Sequence, residues 1–418
     1  MRLSRVLGGP EFIRWSALLS FLRRHRTAGK HLNEPIDHRH RLEYRWALFS
    51  QKLAGFEVLM VAETYDIAVL KGDGVGIEVV DQTLRVLNES MLSNGTRMHF
   101  TEYPCGAGCY LEQGDPLPAL TLEACREADA VLVGAMGLPE VRWPDGTEMR
   151  PQVDLRIQLD LYAGVRPIYL YASEHTPLKG LAAGDIDLVV LRENVEGLFA
   201  SMNAGINIRG EVAVDSMVIT KTGTERLAKF AFELARERHS EPMKVTCVDK
   251  ANILRSMAFF RSVYDEVGSG YPDVEQEHVY IDALALYLVQ RPETYDVLVM
   301  ENMYGDIVSD LAAGLVGGMG MAPSGDIGED AAIFQPSHGT GPDIAGKGIA
   351  NPVATILSAA MMLRWLGTKN ADDKAIADGD RIERAVRTAL GKPGVGTPDI
   401  GGKMSTGQLA DAIIKGLS

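Results

Sequence analysis

Two acidic residues four apart, followed about thirty residues later by a glycine-rich loop, are the parts of this chain best suited to chemistry. Asp306 and Asp310 lie in ENMYGDIVSD (301–310). On a helix that spacing sets both carboxylates on one face, about 5–6 Å apart at Cβ. Oxygen ligands so arranged can hold a hard divalent cation. A blander reading is that two acids opening a helix after the apolar run DVLVM (296–300) only offset the helix dipole. The loop HGTGPDIAGKGIAN (338–351) frees backbone N–H groups to approach a nucleotide closely. Its GPDIAGK stretch (341–347) fits the first seven places of a phosphate-binding P-loop. Gly348 stands where that motif needs Ser or Thr, and no strand pattern leads into it, so a kinase or ATPase is not expected. A metal site beside a nucleotide loop suits redox chemistry on an oxygen-rich substrate.

Further polar residues fall at element ends. Arg156 and Arg166 flank LRIQLDLYAGVRP (155–167), and Arg192 ends the apolar run 187–191. Arginine's planar fork suits bidentate binding of carboxylates, although any single arginine is more often surface charge. Lys250 directly follows an apolar strand pattern, where burial or neighbouring cations could lower its pKa toward that of a general base. Asp282 sits in the apolar stretch YIDAL (280–284), and a buried acid there needs a partner or a metal. Three arginines, one lysine and three aspartates suit a di- or tricarboxylate chelated to a metal.

The elements that position these residues alternate. Strand patterns are read at Asp66–Leu70, Ala130–Val133, Ile186–Leu191, Lys244–Val248 and Tyr295–Met300. Helical patterns run from Gly76 to Leu87 and at Thr222–Arg238, Ile253–Val267, Tyr304–Val316 and Ala354–Leu366. Thr222 with Glu225 reads as a capping box. The tail 378–418 reads as two short helices around a Gly/Pro turn at 391–402. Such alternation predicts an α/β fold with a largely parallel sheet. Gly72–Gly76 is GxGxG after a strand, but it lacks the later glycine of the Rossmann fingerprint and reads as a tight turn.

Composition narrows the class. The 418 residues are 46% apolar and 23% charged, ordinary values for one large or two average domains. A net charge of −14 argues against nucleic-acid binding. No apolar run reaches the roughly 18 residues of a membrane span. Four cysteines without metal-ligand spacing read as reduced thiols of a cytoplasmic protein. Residues 1–62 hold eleven Lys/Arg against five Asp/Glu, and four of the nine histidines. This basic extension reads as lying outside the fold, with a targeting segment as the other reading.

From about Tyr65 to Leu417 the chain resembles the isocitrate/isopropylmalate dehydrogenase family, the metal-dependent β-decarboxylating 2-hydroxy-acid dehydrogenases. The matching pieces are GDGVG (72–76), LDLYAGVRP (159–167), RENVEG (192–197), DKANIL (249–254), YID (280–282), GDIVSD (305–310) and the 338–352 loop, in family order and spacing. The resemblance implies the family's two-domain fold, not a standard Rossmann fold. Residues 65–160 and 313–418 would form a large cofactor-binding domain and 161–312 a small dimerisation and metal/substrate domain. It implies that Arg156, Arg166 and Arg192 clamp substrate carboxylates and that Asp282, Asp306 and Asp310 bind Mg²⁺ or Mn²⁺. Lys250 would take the hydroxyl proton, aided by Asp282. His338, Gly339, Thr340, Asp343, Ile344 and Asn351 would bind NAD. Lys250 and Asp282 would serve the partner subunit's site, so a homodimer is required.

Two departures stand out. Phe199 occupies the place where the family has a tyrosine that protonates the enolate, so an inactive ligand-binding relative is the competing reading. Before Arg156, Gln152 and Val153 match neither the leucine pair of isopropylmalate enzymes nor the Ser/Asn of isocitrate enzymes. The expected reaction is NAD-dependent oxidative decarboxylation of a 3-substituted malate. 3-Isopropylmalate leads, with isocitrate, homoisocitrate, tartrate and D-malate as alternatives.

Overall fold

A computed structural model of the protein describes residues 64–417 apart from positions 95 and 203. The basic extension 1–62 lies outside the described residues. Twelve strands follow in chain order: β1 (Thr64–Gly72), β2 (Arg97–Glu102), β3 (Ala130–Ala135), β4 (Ala163–Tyr169), β5 (Asp187–Glu193), β6 (Ile206–Ile208), β7 (Val212–Val214), β8 (Lys244–Asp249), β9 (Glu275–Tyr280), β10 (Val297–Met300), β11 (Pro323–Ile327) and β12 (Ala332–Pro336). Ten of them form one sheet in the order β2-β1-β3-β12-β11-β4-β5-β10-β8-β9, while β6 and β7 pair separately as a hairpin. Six neighbouring pairs are parallel. The other three, β12–β11, β11–β4 and β4–β5, are antiparallel and lie together at the centre. The fold is therefore α/β with a largely parallel sheet, and the central reversal sets it apart from a standard Rossmann sheet. Strands from 64–135 and 323–336 make one half of the sheet and strands from 163–300 the other, meeting at β11–β4.

Burial explains which strands form the spine. In β3, β8 and β10 every residue is buried, as expected of parallel strands covered on both faces. Helices Lys221–Arg238 and Arg255–Gly268 cover β8 and β10, with Phe232 stacked on Tyr264 at 5.3 Å between centroids. Fully buried side chains of this size contribute about 1.5–3 kcal/mol each. The capping expectation needs correction. Thr220, not Thr222, caps the helix, accepting the Gly223 N–H at 3.0 Å, and Glu225 pairs with Lys221 instead. The first tail helix is also longer than read, at Asp373–Leu390. A strand, β12, does lead into the 338–351 loop, contrary to the sequence reading. The helix that follows starts only at Val353, so a P-loop geometry is absent there. Among the described residues no helix is long and apolar enough to cross a membrane.

Two glycines let the pieces of the site close up. Gly74 has φ +55°, and a Cβ on it would lie 2.2 Å from the Thr340 carbonyl oxygen. That contact seats the 338–351 loop on the turn after β1, where Val75 N–H donates to the same oxygen at 2.8 Å. A Cβ on Gly305 would meet the Arg192 side chain at 2.6 Å, so glycine lets helix Asn302–Gly314 lie against β5.

Candidate active site

The antiparallel register of β4 and β5 places Gly164 opposite Arg192, so Arg166, two residues on, shares a sheet face with Arg192. Helix Pro151–Gln158 opens with proline at its first turn and sends Arg156 to the same place from a third direction. All three arginines are buried, none more than 6% exposed. After β10, Glu301 caps helix Asn302–Gly314 by accepting the Tyr304 N–H at 2.8 Å. This helix carries Asp306 and Asp310 toward the guanidiniums. Arg192 Nη1 contacts the Asp306 carboxylate, while Nε and Nη2 donate to Asn302 Oδ1 at 3.0 and 2.7 Å. Arg166 Nη1 donates to Ser309 Oγ at 2.9 Å and lies 3.8 Å from Asp310.

The three arginines, Asp306 and Asp310 line a cavity of about 240 Å³ with Gln152, Val153, Phe199 and residues 335–339. Its electrostatics favour an anion. Burial, then the Arg166 and Arg156 charges, push the Arg192 pKa down to about 9 despite Asp306 and Asp326. Burial and Arg156 lower Arg166 likewise. Burial raises Asp310, with Arg166 opposing and Asp306 adding to the rise. Three buried atoms of the lining, Gln152 Oε1, Arg166 Nε and Ser337 Oγ, have no hydrogen-bond partner among the described residues. Unmade bonds of this kind cost about 1–3 kcal/mol each, which a polar ligand would recover. Phe199 sits on the short turn Leu198–Ser201, with the Arg192 guanidinium 5.5 Å from its ring centroid.

A second cavity of about 500 Å³ shares His338 and Gly339 with the first. Val75, Ile344, Ile349 and Pro398 give it apolar walls, and Asn351 and Asp399 add polar ones. Asn351 Oδ1 accepts the Val353 N–H at 3.0 Å, and its Nδ2 donates to Asp399 at 3.0 Å. Thr340 is buried and tied to Val75, and Asp343 is exposed; neither lines the cavity.

Lys250 and Asp282 are brought together but not into this site. Lys250 Nζ lies 2.6 Å from Asp282 Oδ1, and neither residue lines the cavity. Asp282 was expected to be buried; its side chain is 68% exposed. It opens helix Ile281–Gln290, whose Leu284 and Leu288 face the core while Asp282 faces outward. The hydrogen bond from Lys250 holds its carboxyl below the usual range. The three aspartates are thus split, and the described residues contain no group of three His, Cys, Asp or Glu placed to hold a metal. Tyr162 packs under Arg226 at 4.3 Å, away from the cavity. Sequence reasoning missed Asn302 and Ser309 inside the 301–310 motif, Asp399 in the 391–402 turn, and Asp326 and Gln335 in strands that it did not read at all.

The family model for isocitrate/isopropylmalate dehydrogenase matches residues 66–413. A 3-isopropylmalate dehydrogenase of Aquifex aeolicus is 42% identical over 365 residues, covering 84% of this chain and 97% of the relative. A 3-isopropylmalate/3-methylmalate dehydrogenase of Methanocaldococcus jannaschii is 41% identical, covering 84% and 98%. The crystal structure of isocitrate dehydrogenase from Methylococcus capsulatus superposes with a TM-score of 0.75 at 36% identity, covering 84% of this chain and 99% of that one. With matched motifs, fold and sequence over nearly all of the described residues, this chain belongs to the isocitrate/isopropylmalate dehydrogenase family.

Proposed function

We propose that the protein oxidises and decarboxylates a 3-substituted malate, with 3-isopropylmalate as substrate, NAD as oxidant and Mg²⁺ or Mn²⁺ as the metal. The observation that carries this reading is the junction of three buried guanidiniums and two helix carboxylates around one cavity that shares His338 and Gly339 with an apolar slot. Arg156, Arg166 and Arg192 hold the substrate carboxylates, and the free Nε of Arg166 is one donor for them. Gln152 and Val153 face the group on C3. The apolar slot takes adenosine, with Asn351 and Ile344 in its wall; Asp343, exposed on the same loop outside that lining, accepts ribose hydroxyls.

The donor set fits a hard cation. Asp306 and Asp310 share a helix face in the cavity, and each carboxylate faces the repulsion of the other. A bound Mg²⁺ or Mn²⁺ would supply a Lewis acid that draws charge from the C2 oxygen and its carboxylate. The third aspartate and the base come from a second copy, as Asp282 of the partner subunit and Lys250 of the partner subunit. Exposed apolar side chains support that assembly: Ile206, Ile208, Val212 and Val214 on the β6–β7 hairpin, and Ile253, Phe259, Leu286 and Val289 near the Lys250–Asp282 pair. Lys250 takes the hydroxyl proton during hydride transfer. Phe199 provides no proton for the enolate, which favours a slow final step and, as a second reading, a ligand-binding protein without turnover.

Steady-state assays with NAD and manganese on 3-isopropylmalate, isocitrate, homoisocitrate, tartrate and D-malate test the reading. The highest kcat/KM is expected for 3-isopropylmalate. Absence of NADH with all five would overturn it in favour of the inactive relative.

A further inference from the structure

Behind the arginine clamp lies a buried carboxylate whose three bonds join three different elements. Asp326 of β11 is fully buried. Its Oδ2 accepts Arg156 Nε at 2.9 Å and Gln335 Nε2 at 2.7 Å, and its Oδ1 accepts Asn194 Nδ2 at 2.8 Å. Arg156 comes from helix Pro151–Gln158, Gln335 from β12, and Asn194 directly follows β5. The neighbouring strand makes room for this junction. Gly164 pairs with Asp326 in β4, and a Cβ on Gly164 would lie 2.8 Å from Asn194 Oδ1. Burial alone would raise the Asp326 carboxyl, but the Arg156 and Arg166 charges hold it below its ordinary value, so it is ionised.

The consequence is both geometric and electrostatic. Arg156 spends only Nε on Asp326; its two Nη groups make no hydrogen bond among the described residues and are left for the cavity. Gln335 lines the same cavity and gives its amide N–H to Asp326, which fixes which way that amide faces. Three guanidiniums stand in the wall, and Asp326 offsets one of their charges from behind. Asp306 and Asp310 are engaged with the cation site of the proposed function, on which this inference rests. Two positive charges then remain for substrate.

We propose that Asp326 is a positioning residue that sets the carboxylate count of the substrate, holding Arg156 and Gln335 in place and tuning the pocket to dicarboxylates over tricarboxylates. Asp326→Asn removes the charge and turns an amide N–H toward the donors of Gln335 or Asn194. The double variant Asp326→Asn/Gln335→Glu returns one carboxylate to the same junction with the amide on the opposite side. The readout is calorimetric binding of 3-isopropylmalate and of citrate to the manganese-loaded protein, which requires no turnover. A wild-type protein that binds the dicarboxylate but produces no NADH would fail the proposed reaction and leave this test intact. In Asp326→Asn the ratio of dicarboxylate to citrate affinity should fall by roughly tenfold or more, the scale of one charge in a partly screened site. KM for 3-isopropylmalate should rise by a similar factor while kcat stays within about threefold. The double variant should restore both, and the change in the affinity ratio separates this role from a merely structural one, which would weaken both ligands alike. Asp326→Ser, smaller and also neutral, carries the same charge test if the asparagine variant does not fold. An unchanged affinity ratio in a folded neutral variant, or a folded double variant that keeps the altered ratio, would overturn the proposal. So would a wild-type protein that prefers citrate.

Discussion

Asp306→Asn separates the two tasks proposed for one carboxylate. Asp306 lines the cavity with Asp310, where the proposed function places the cation, and it also contacts Arg192 Nη1. Removing one partner of a fully buried ion pair costs about 3–5 kcal/mol. Two features reduce that here. The Asp306 side chain is 45% exposed, so solvent screens much of the attraction. Asn302 Oδ1 still accepts two bonds from Arg192, and the new amide oxygen can accept the third. The expected loss is therefore about 1 kcal/mol, or roughly 2 °C in Tm for a domain of this size. The metal role has no such substitute. Groups that merely support metal ligands are worth about 10–100-fold in affinity, so losing a charged ligand should raise the manganese concentration for half-maximal turnover by ~100-fold or more. Calorimetry without metal and a manganese titration of NADH formation measure the two effects separately. Half-saturation at the wild-type manganese concentration would refute the ligand assignment. A Tm lowered by many degrees, with activity that excess manganese does not rescue, would show instead that Asp306 serves chiefly as counter-ion to Arg192.

Other outcomes follow from the same geometry. Phe199→Tyr should raise turnover with a decarboxylating substrate and shrink the solvent isotope effect, since a positioned general acid is worth about 10²–10⁴-fold; no gain, together with a large substrate-deuterium effect, would mean that another group already supplies the proton. Asp343→Lys should shift cofactor preference from NAD toward NADP by about 1 kcal/mol or less in kcat/KM, since Asp343 is exposed and its charge is screened, and a wild-type enzyme equally efficient with both would remove the basis for that change. Glu193 is buried, and burial pushes its carboxyl up to about 7 even though the Val195 and Glu196 N–H groups oppose the rise. A carboxyl with a raised folded pKa destabilises the native state above that pH, and the cost is relieved as pH falls toward its ordinary value of 4.5. Glu193→Gln should therefore flatten the pH dependence of Tm between those two values and gain at most ~3 kcal/mol above it; parallel Tm profiles for variant and wild type would show that Glu193 does not titrate there.

What the sequence showed of the fold and of the site depended on whether a strand had to serve both. β1, β3, β5, β8 and β10 are largely buried apolar runs, and they were legible as strands. β2 and β9 are polar edge strands with alternating exposure and were not. β4 and β11 were missed for a different reason. β4 is AGVRPIY, with a buried arginine and a proline inside the sheet. Its proline is tolerated because β11 pairs with β4 only at Ala163–Val165 and so stops short of Pro167. β11 is PSGDI, which by composition is a turn, yet all five of its residues are buried at the sheet's centre. The loss of apolar pattern in both strands comes from the residues that build the site: Arg166 in one, Asp326 in the other. Arg166 could still be found because a motif surrounds it. Asp326 could not, because its role exists only once Arg156, Asn194 and Gln335 arrive from distant parts of the chain. The same holds for Lys250 and Asp282. Their motifs marked them, but their pairing at an exposed surface, outside the cavity, depends on how a single chain folds. A charged residue in a central strand violates local pattern and costs several kcal/mol unless it is partnered. Where a fold carries such a residue with every partner in place, as β11 carries Asp326, the break in pattern points to a site, and that makes these two strands the first place to look for what sets the substrate.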